Sequence, residues 1–428
     1  MRVGLVRAHA TPSGSDGSAG THQHITRTAA ELAGRGHDVR VYERWDDPDL
    51  AEVTEAAGYR VERVPIGPST RTSTAKLVSL VPEFGRWLAN RWSADWTPDV
   101  VHGHFWLGGL VAASAVRATE IPVVQTFHSV GLEQLRHLGA AYGGPGERIA
   151  LERALTRAVD VAVAQSTDEV DELTRMGLRR AAVTVVPAAV DTVTFSPEGT
   201  AEERGSRARI LSVGGLGPGS GHEDLIRAMR LVGDAELVIA GGPPASGLAG
   251  HAEARRLRDL AEQTGVAEQV RLIGAVPNDQ LPSWYRSADV VACPARYATA
   301  GRVPLEAMSC GVPVIGYAMG GVADTVVDEV TGRLVQPGDV RGLGVALRRL
   351  LADDAQRFAF GHAAVDRVRC TYTWDRAAAA LERLYERVVH RRRPPAEEPA
   401  AGIGTVGVEV EVEAPAPVPA DSPVPAES

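Results

Sequence analysis

Residues 289–321 read DVVACPARYATAGRVPLEAMSCGVPVIGYAMGG, and this stretch decides the fold. Val290–Cys293 and residues 312–316 are short apolar runs, the pattern of strands buried on both faces of a parallel sheet. Between them, residues 303–310 read as a short helix, with Pro304 suited to its first position and Gly311 to its end. The loop 297–302 then lies at the carboxyl end of a strand, where open α/β sheets bind ligands. Amides of Gly301, Arg302 and Val303 would face an anion from the helix start. Glu306, one turn in, would reach a hydroxyl of the same ligand. On these residues alone the stretch is either such a site or an ordinary βαβ unit with a surface glutamate.

The alternation of strand and helix extends both ways. Upstream, a strand at 210–213 leads into a loop of Gly214, Gly215, Gly217, Gly219 and Gly221 around Ser220, then a helix at 223–232. The chain itself opens with a strand at 3–7, a Gly/Ser loop at 11–20, a helix at 24–34 and a strand at 39–42. The spacing of Gly14, Gly17 and Gly20 is not the dinucleotide fingerprint, which argues against a Rossmann oxidoreductase. Further strands are expected at 61–65, 99–102, 122–126, Val161–Ala164 and 183–190. Helices are expected at 72–89, from Gly109, at 147–158 with a solvated charged face, and at 167–176. Two strands run out into His102-Gly103-His104-Phe105-Trp106 and Phe127-His128-Ser129, which puts both histidine groups at strand ends. A helix at 372–389 ends the folded part. The Pro-, Ala-, Glu- and Val-rich residues 391–428 read as a disordered tail. The whole reads as two parallel α/β domains with right-handed crossovers.

Composition narrows the class. The net charge is −9, of which the tail supplies −4, so a nucleic-acid-binding surface is not suggested. Cys293, Cys310 and Cys370 are scattered, which fits a reducing compartment better than a disulfide framework. MRVGLVRAHA enters a strand directly, with no signal peptide expected, and no apolar run is long enough to span a bilayer. His102 and His104 have the spacing of half a metal site, but no further ligands follow at recognisable spacing. No metal or cofactor is therefore expected.

The motifs resemble those of the retaining glycosyltransferases of family 4. Their donor-site pattern is Glu-x-Phe-Gly, four residues, then a second Glu followed by Ala-Met-Ala-x-Gly-x-Pro-Val. Gly301, Glu306, Ala307, Met308, Gly311, Pro313 and Val314 match it. The two histidine phrases, the Gly-rich opening loop and the run Pro187-Ala188-Ala189-Val190-Asp191 resemble further phrases of the family. The resemblance implies the GT-B fold, two Rossmann-like domains facing across a cleft. The expected divisions are an acceptor domain at 1–190, a nucleotide-sugar domain at 206–371, a helix at 372–390 crossing back to the first domain, and the tail 391–428. It also implies a cytoplasmic enzyme with at most peripheral membrane contact. Such an enzyme moves a sugar, with retention, from a UDP- or GDP-sugar to a small-molecule, lipid or glycan acceptor.

The resemblance also implies roles. His128 would contact the donor sugar and phosphate at the reacting centre, and Glu306 the ribose hydroxyls. Gly20 belongs to the loop that closes over the donor. His104 and Trp106, with His22 and His24, would wall the acceptor pocket. Ser129 and Arg148 fall where the branch that glycosylates inositol phosphate binds the acceptor phosphate; that branch has Tyr and Thr where this chain has Phe105 and Ser129. A helix-surface role for Arg148 is the other reading. Three departures stand out. The family's diphosphate-binding Arg and Lys are Gly215 and Ser220, and its first donor-site Glu is Ala298. Losing one transition-state donor typically costs about 10²–10³ in rate. Arg302 or His222 would be the substitutes. A catalytically impaired paralogue that binds a nucleotide or a partner is the alternative reading.

Overall fold

The computed structural model describes residues 1–8, 18–94, 96–296 and 300–392. The first half runs β1 (Arg2–Arg7), α1 (Ser18–Gly34), β2 (Asp38–Arg44), β3 (Val53–Ala56), β4 (Tyr59–Val64), α2 (Thr74–Ala94), β5 (Val100–His104), α3 (Phe105–Ala115), β6 (Val123–Thr126), α4 (Gly131–Leu138), α5 (Arg148–Leu155), β7 (Val161–Ala164), α6 (Thr167–Arg175) and β8 (Val183–Val185). The second runs β9 (Ala208–Val213), α7 (His222–Met229), β10 (Ala235–Ala240), α8 (Ala252–Thr264), β11 (Val270–Gly274), α9 (Leu281–Arg286), β12 (Val290–Cys293), α10 (Arg302–Ser309), β13 (Val314–Tyr317), α11 (Gly320–Thr325), β14 (Gly332–Val335), α12 (Val340–Leu351), α13 (Asp354–Thr371) and α14 (Trp374–Arg392).

Two sheets result, ordered β3-β4-β2-β1-β5-β6-β7-β8 and β11-β10-β9-β12-β13-β14. Every pairing is parallel except β3 with β4. That hairpin departs from the all-parallel expectation. Its two-residue turn, Ala57-Gly58, holds φ of 45° and 83°, the left-handed pair that a tight hairpin needs. Ala in the first position hid the signal, because Asn-Gly or Asp-Gly is what such turns usually carry.

The chain crosses from the first sheet to the second after β8 and returns at α14. The two crossings meet: Val190 donates its amide to Tyr372 O, and Val190 pairs with Thr373 as a bridge. α14 then buries Ala378, Leu381, Leu384, Tyr385 and Val388 in the first half's core beside Val3, Leu5, Ile25 and Leu32. Each such aliphatic or aromatic side chain is worth about 1.5–3 kcal/mol when fully buried.

Several expected boundaries move. α1 begins at Ser18, so Gly20 lies in its first turn and not in a loop. α3 begins at Phe105 rather than near Gly109, because Phe105 at φ 56° turns the chain at the strand end. β8 stops at Val185, before Pro187. α10 begins at Arg302, which puts Pro304 third and not first; the amide it lacks has no acceptor inside the helix there anyway. α5 is not solvated on its charged face, since Arg148 and Glu152 are buried. α14 extends to Arg392, which pairs with Asp160 at 2.7 Å, so 391 and 392 are helical. Residues 393–428 and Ala298 lie outside the described residues.

Candidate functional site

The carboxyl ends of both sheets face a cavity of about 620 Å³. From the second half it is lined by Gly214, Gly215, Gly217, Gly219 and Ser220, and by Gly301, Arg302, Val303 and Glu306. From the first half come Gln23, His24, His128 and Gln165, with Asp191 and Trp374 from the crossings.

The histidines are brought together by register. In the parallel pair β5–β6, His104 lies opposite Thr126, and each strand then ends in a non-glycine residue at positive φ: Phe105 at 56° and His128 at 58°. Such conformations are costly and cluster at functional sites. Here they turn His128 back onto His104. Nδ1 of His104 lies 3.0 Å from Nε2 of His128, with the rings stacked at 5.2 Å. His102 stacks beneath His104 at 4.3 Å, between Tyr385 Oη at 2.7 Å and Thr126 Oγ1 at 2.8 Å. His24 meets His128 edge-on at 5.2 Å and Trp374 at 5.5 Å. Burial keeps all four uncharged. It pulls His24 down to about 4 and His102 to about 3, and holds His104 and His128 well below the ordinary value, with the neighbouring imidazoles or Arg302 adding to the effect.

In the second half, Gly301 at φ 61° lets α10 start against α11. A Cβ there would lie 2.4 Å from Gly321 O. Glu306 is buried, accepts a hydrogen bond from Tyr285 Oη at 2.8 Å and lies 3.4 Å from Arg302 Nε. Burial raises its pKa, against the pull of Arg302. The glycine loop is braced from behind: Arg296 donates its amide to Gly219 O at 2.8 Å and its guanidinium to Asp224, which also accepts from Tyr317 Oη at 2.9 Å. His222 is buried, its Nδ1 lacks a hydrogen-bond partner among the described residues, and burial pulls it down to about 4.

Charge is scarce in this cavity. Arg302 is the sole Lys or Arg among its described lining residues, and Gly215 and Ser220 stand open to it without a cation. The acids are Glu306 and Asp191, the latter paired with Arg27 at 2.8 Å.

The remaining expected residues lie outside this lining. His104 sits behind His128 and is fully buried, with Nε2 unpartnered among the described residues. Trp106 is packed in the first half's core. Ser129 and Arg148 are brought together: the Arg148 guanidinium donates to Ser129 O and Oγ at 2.9 Å, to Gln134 at 2.9 Å and to Glu152 at 2.7 Å. His22 is bonded to Arg7, and burial and that guanidinium pull it down to about 4. Sequence reasoning missed Gln165, Asp191 and Trp374, and also the exchange by which Asp168 and Asp324 cap each other's helices. Asp168 accepts the Gly320 amide and Asp324 the Thr167 amide, both at 2.6 Å. No local pattern marks pairs so far apart in the chain. Among the described residues no His, Cys, Asp or Glu cluster is placed to hold a metal ion. Nor is any helix long and apolar enough to cross a membrane.

The description "Glycosyl transferases group 1" matches residues 196–367, and "Glycosyl transferase 4-like domain" matches residues 19–189. The chain is 31% identical over 416 residues to a D-inositol 3-phosphate glycosyltransferase of Xylanimonas cellulosilytica, covering 91% of this chain and 98% of that one. It is 32% identical to the protein of the same description from Kineococcus radiotolerans, covering 92% and 96%. Sucrose-phosphate synthase from Thermosynechococcus elongatus superposes with a TM-score of 0.81 at 26% identity, covering 91% and 99%. Anabaena HepE, solved with UDP and glucose, shares the fold with a TM-score of 0.69 at 16% identity, covering 90% and 100%. Two Rossmann-like halves with their strand ends across one cleft are the GT-B fold, and the chain belongs to the group 1 glycosyltransferases of family 4.

Proposed function

We propose that this chain moves a sugar from a nucleoside-diphosphate donor, a UDP- or GDP-sugar, to the hydroxyl of a small-molecule, lipid or glycan acceptor, with retention of configuration, in the cytoplasm. The observation that carries the reading is the convergence of Gly214–Ser220, Gly301–Glu306 and His128 on one cavity. Glu306 would accept from the ribose hydroxyls. Amides of Gly215, Gly301 and Val303, with the Ser220 hydroxyl and the Arg302 guanidinium, would meet the diphosphate. His128 would contact the donor sugar, and Gly20 would belong to the segment closing over the donor. His104 would support His128 from behind, and Trp106, Ser129 and Arg148 would shape the acceptor side.

A second reading is a catalytically impaired paralogue that binds a nucleotide or a partner. It is favoured by the single cation, Arg302, lining the described cavity. Thermal shift against UDP, GDP and ADP and their glucose or mannose sugars tests both, since a ligand of the folded state raises the melting temperature. Binding with turnover of the sugar nucleotide supports transfer. Binding without turnover supports the second reading, and binding of none removes both donor-site assignments. The anomeric configuration of the product, read by NMR, decides retention.

A further inference from the structure

Gln165 follows β7 and precedes Ser166, whose hydroxyl caps α6. Its backbone is fixed: the Gln165 amide donates to Glu169 Oε2 at 2.7 Å, and Ser166 Oγ accepts from Glu169 N at 3.2 Å. Its side chain is nearly buried, at 4% exposure, yet it lines the cavity. Oε1 lies 3.3 Å from Nδ1 of His128. A carbonyl oxygen only accepts, so Nδ1 of His128 carries the hydrogen. Nε2 of His128 then accepts from Nδ1–H of His104, and the bare nitrogen of the chain is Nε2 of His104, the atom left without a partner. With Oε1 turned toward His128, this assignment of hydrogens satisfies both contacts of His128. Turning the amide over would reverse the chain, moving the hydrogen of His128 to Nε2 and spending the NH2 of Gln165 on Nδ1. The side-chain NH2 of Gln165 makes no hydrogen bond to the described residues, while the residue itself faces the cleft.

We propose that Gln165 is a substrate-contacting residue: its NH2 donates to an oxygen of the sugar diphosphate in the cleft, and His128 holds the amide in the orientation that presents it. This rests on the donor reading above and adds a residue and a directed hydrogen bond to it. An amide in this position rewards an acceptor oxygen and leaves a ligand that offers only donors unmatched. His128 then has a second task beside contact with the sugar, and the two residues act as one unit.

The test has two arms. Side-chain ¹⁵N–¹H spectra of the histidines, with His128→Asn for assignment, read the tautomer in the unliganded protein. His128 is expected as the Nδ1–H form in the wild type and as a mixture in Gln165→Met. A wild-type His128 protonated on Nε2 overturns the proposal whatever the chain binds. Calorimetry then uses whichever of UDP, GDP and ADP, with its glucose sugar, the wild type binds. Gln165→Met and the near-isosteric Gln165→Glu are each expected to weaken the sugar nucleotide ~10-fold or more, the effect of one hydrogen bond to a charged or strongly polar oxygen. Unchanged affinity in both variants overturns the contact while leaving the donor reading in place. Absence of any nucleotide binding by the wild type removes the donor reading and this contact with it.

Discussion

Asp168 and Asp324 cap one another's helices: each carboxylate accepts the first amide of the helix that carries the other. The N-terminal end of a helix leaves amides without internal acceptors, and a carboxylate there is stabilising. In this protein the two helices that exchange carboxylates belong to opposite halves. The capping interaction is therefore also an interaction between the halves.

Removing both carboxylates should open the cleft. Asp168→Ala with Asp324→Ala is expected to raise the radius of gyration in small-angle scattering and to cost about 1 kcal/mol per lost cap. Asn at both positions keeps an acceptor and should retain the wild-type scattering. Identical curves and stabilities for wild type and the Ala pair would show that the contact does not hold the halves together.

Glu306→Ala should weaken nucleotide binding by about 1.5–3 kcal/mol, the worth of hydrogen bonds to a charged group. Tyr285→Phe removes the donor to Glu306 Oε2 and should raise the carboxyl's pKa further, so that affinity falls off at a higher pH than in wild type as the pH is lowered. Titration calorimetry across pH 5 to 8, a window set by the ordinary carboxylate range and the upward shift, checks both. Undiminished affinity in Glu306→Ala takes the residue out of the site.

Restoring cations is expected to discriminate between phosphates. Gly215 has open space where a Cβ would go and is not at positive φ. Gly215→Arg with Ser220→Lys should tighten a nucleoside diphosphate more than the monophosphate, since only the diphosphate spans both. If Arg302 already holds the diphosphate, Arg302→Ala alone should abolish binding and the two additions should gain nothing. No effect from either change would argue that the cavity does not take a nucleotide sugar in this manner.

Glu169 gives the stability a pH dependence of predictable sign. It is buried with Oε1 unpartnered among the described residues, and burial pushes its carboxyl up to about 8, with Glu133 nearby adding to the rise. The unfolded carboxyl titrates near the ordinary value of 4.5. Between those values the folded chain holds a proton that the unfolded chain has lost, so stability falls as pH rises through this window. Glu169→Gln should remove that slope and stabilise the protein by about 1–3 kcal/mol at pH 8. Urea unfolding at pH 5 and pH 8 measures it. An equal change at both would assign the effect to packing instead.

The second half was legible because β12 and β13 are apolar on both faces, β9 and β10 are apolar beyond Arg209, Ser212 and Glu236, and the glycines between them mark the turns. Val290–Cys293 falls on the expected residues. What the sequence hid is mostly burial of charge. Arg148 and Glu152 alternate with apolar residues as on a wet helix, yet they satisfy each other and Ser129 inside the fold. α4 and α13 were not anticipated; in α13 the apolar residues keep to no single face over its 18 residues. The exchange between Asp168 and Asp324 spans more than 150 residues, and nothing local announces it.

The meeting of Val190 with Tyr372 and Thr373 has a mechanical consequence. Two connections bonded side by side form a spine. Leaves joined along a spine swing about it readily, whereas twisting or sliding would shear the bonds between the connections. Separation of the halves is thereby reduced to something close to one angle, and Tyr372 Oη, which donates to Asp324 O at 3.0 Å, ties the cross-capped α11 to that same spine.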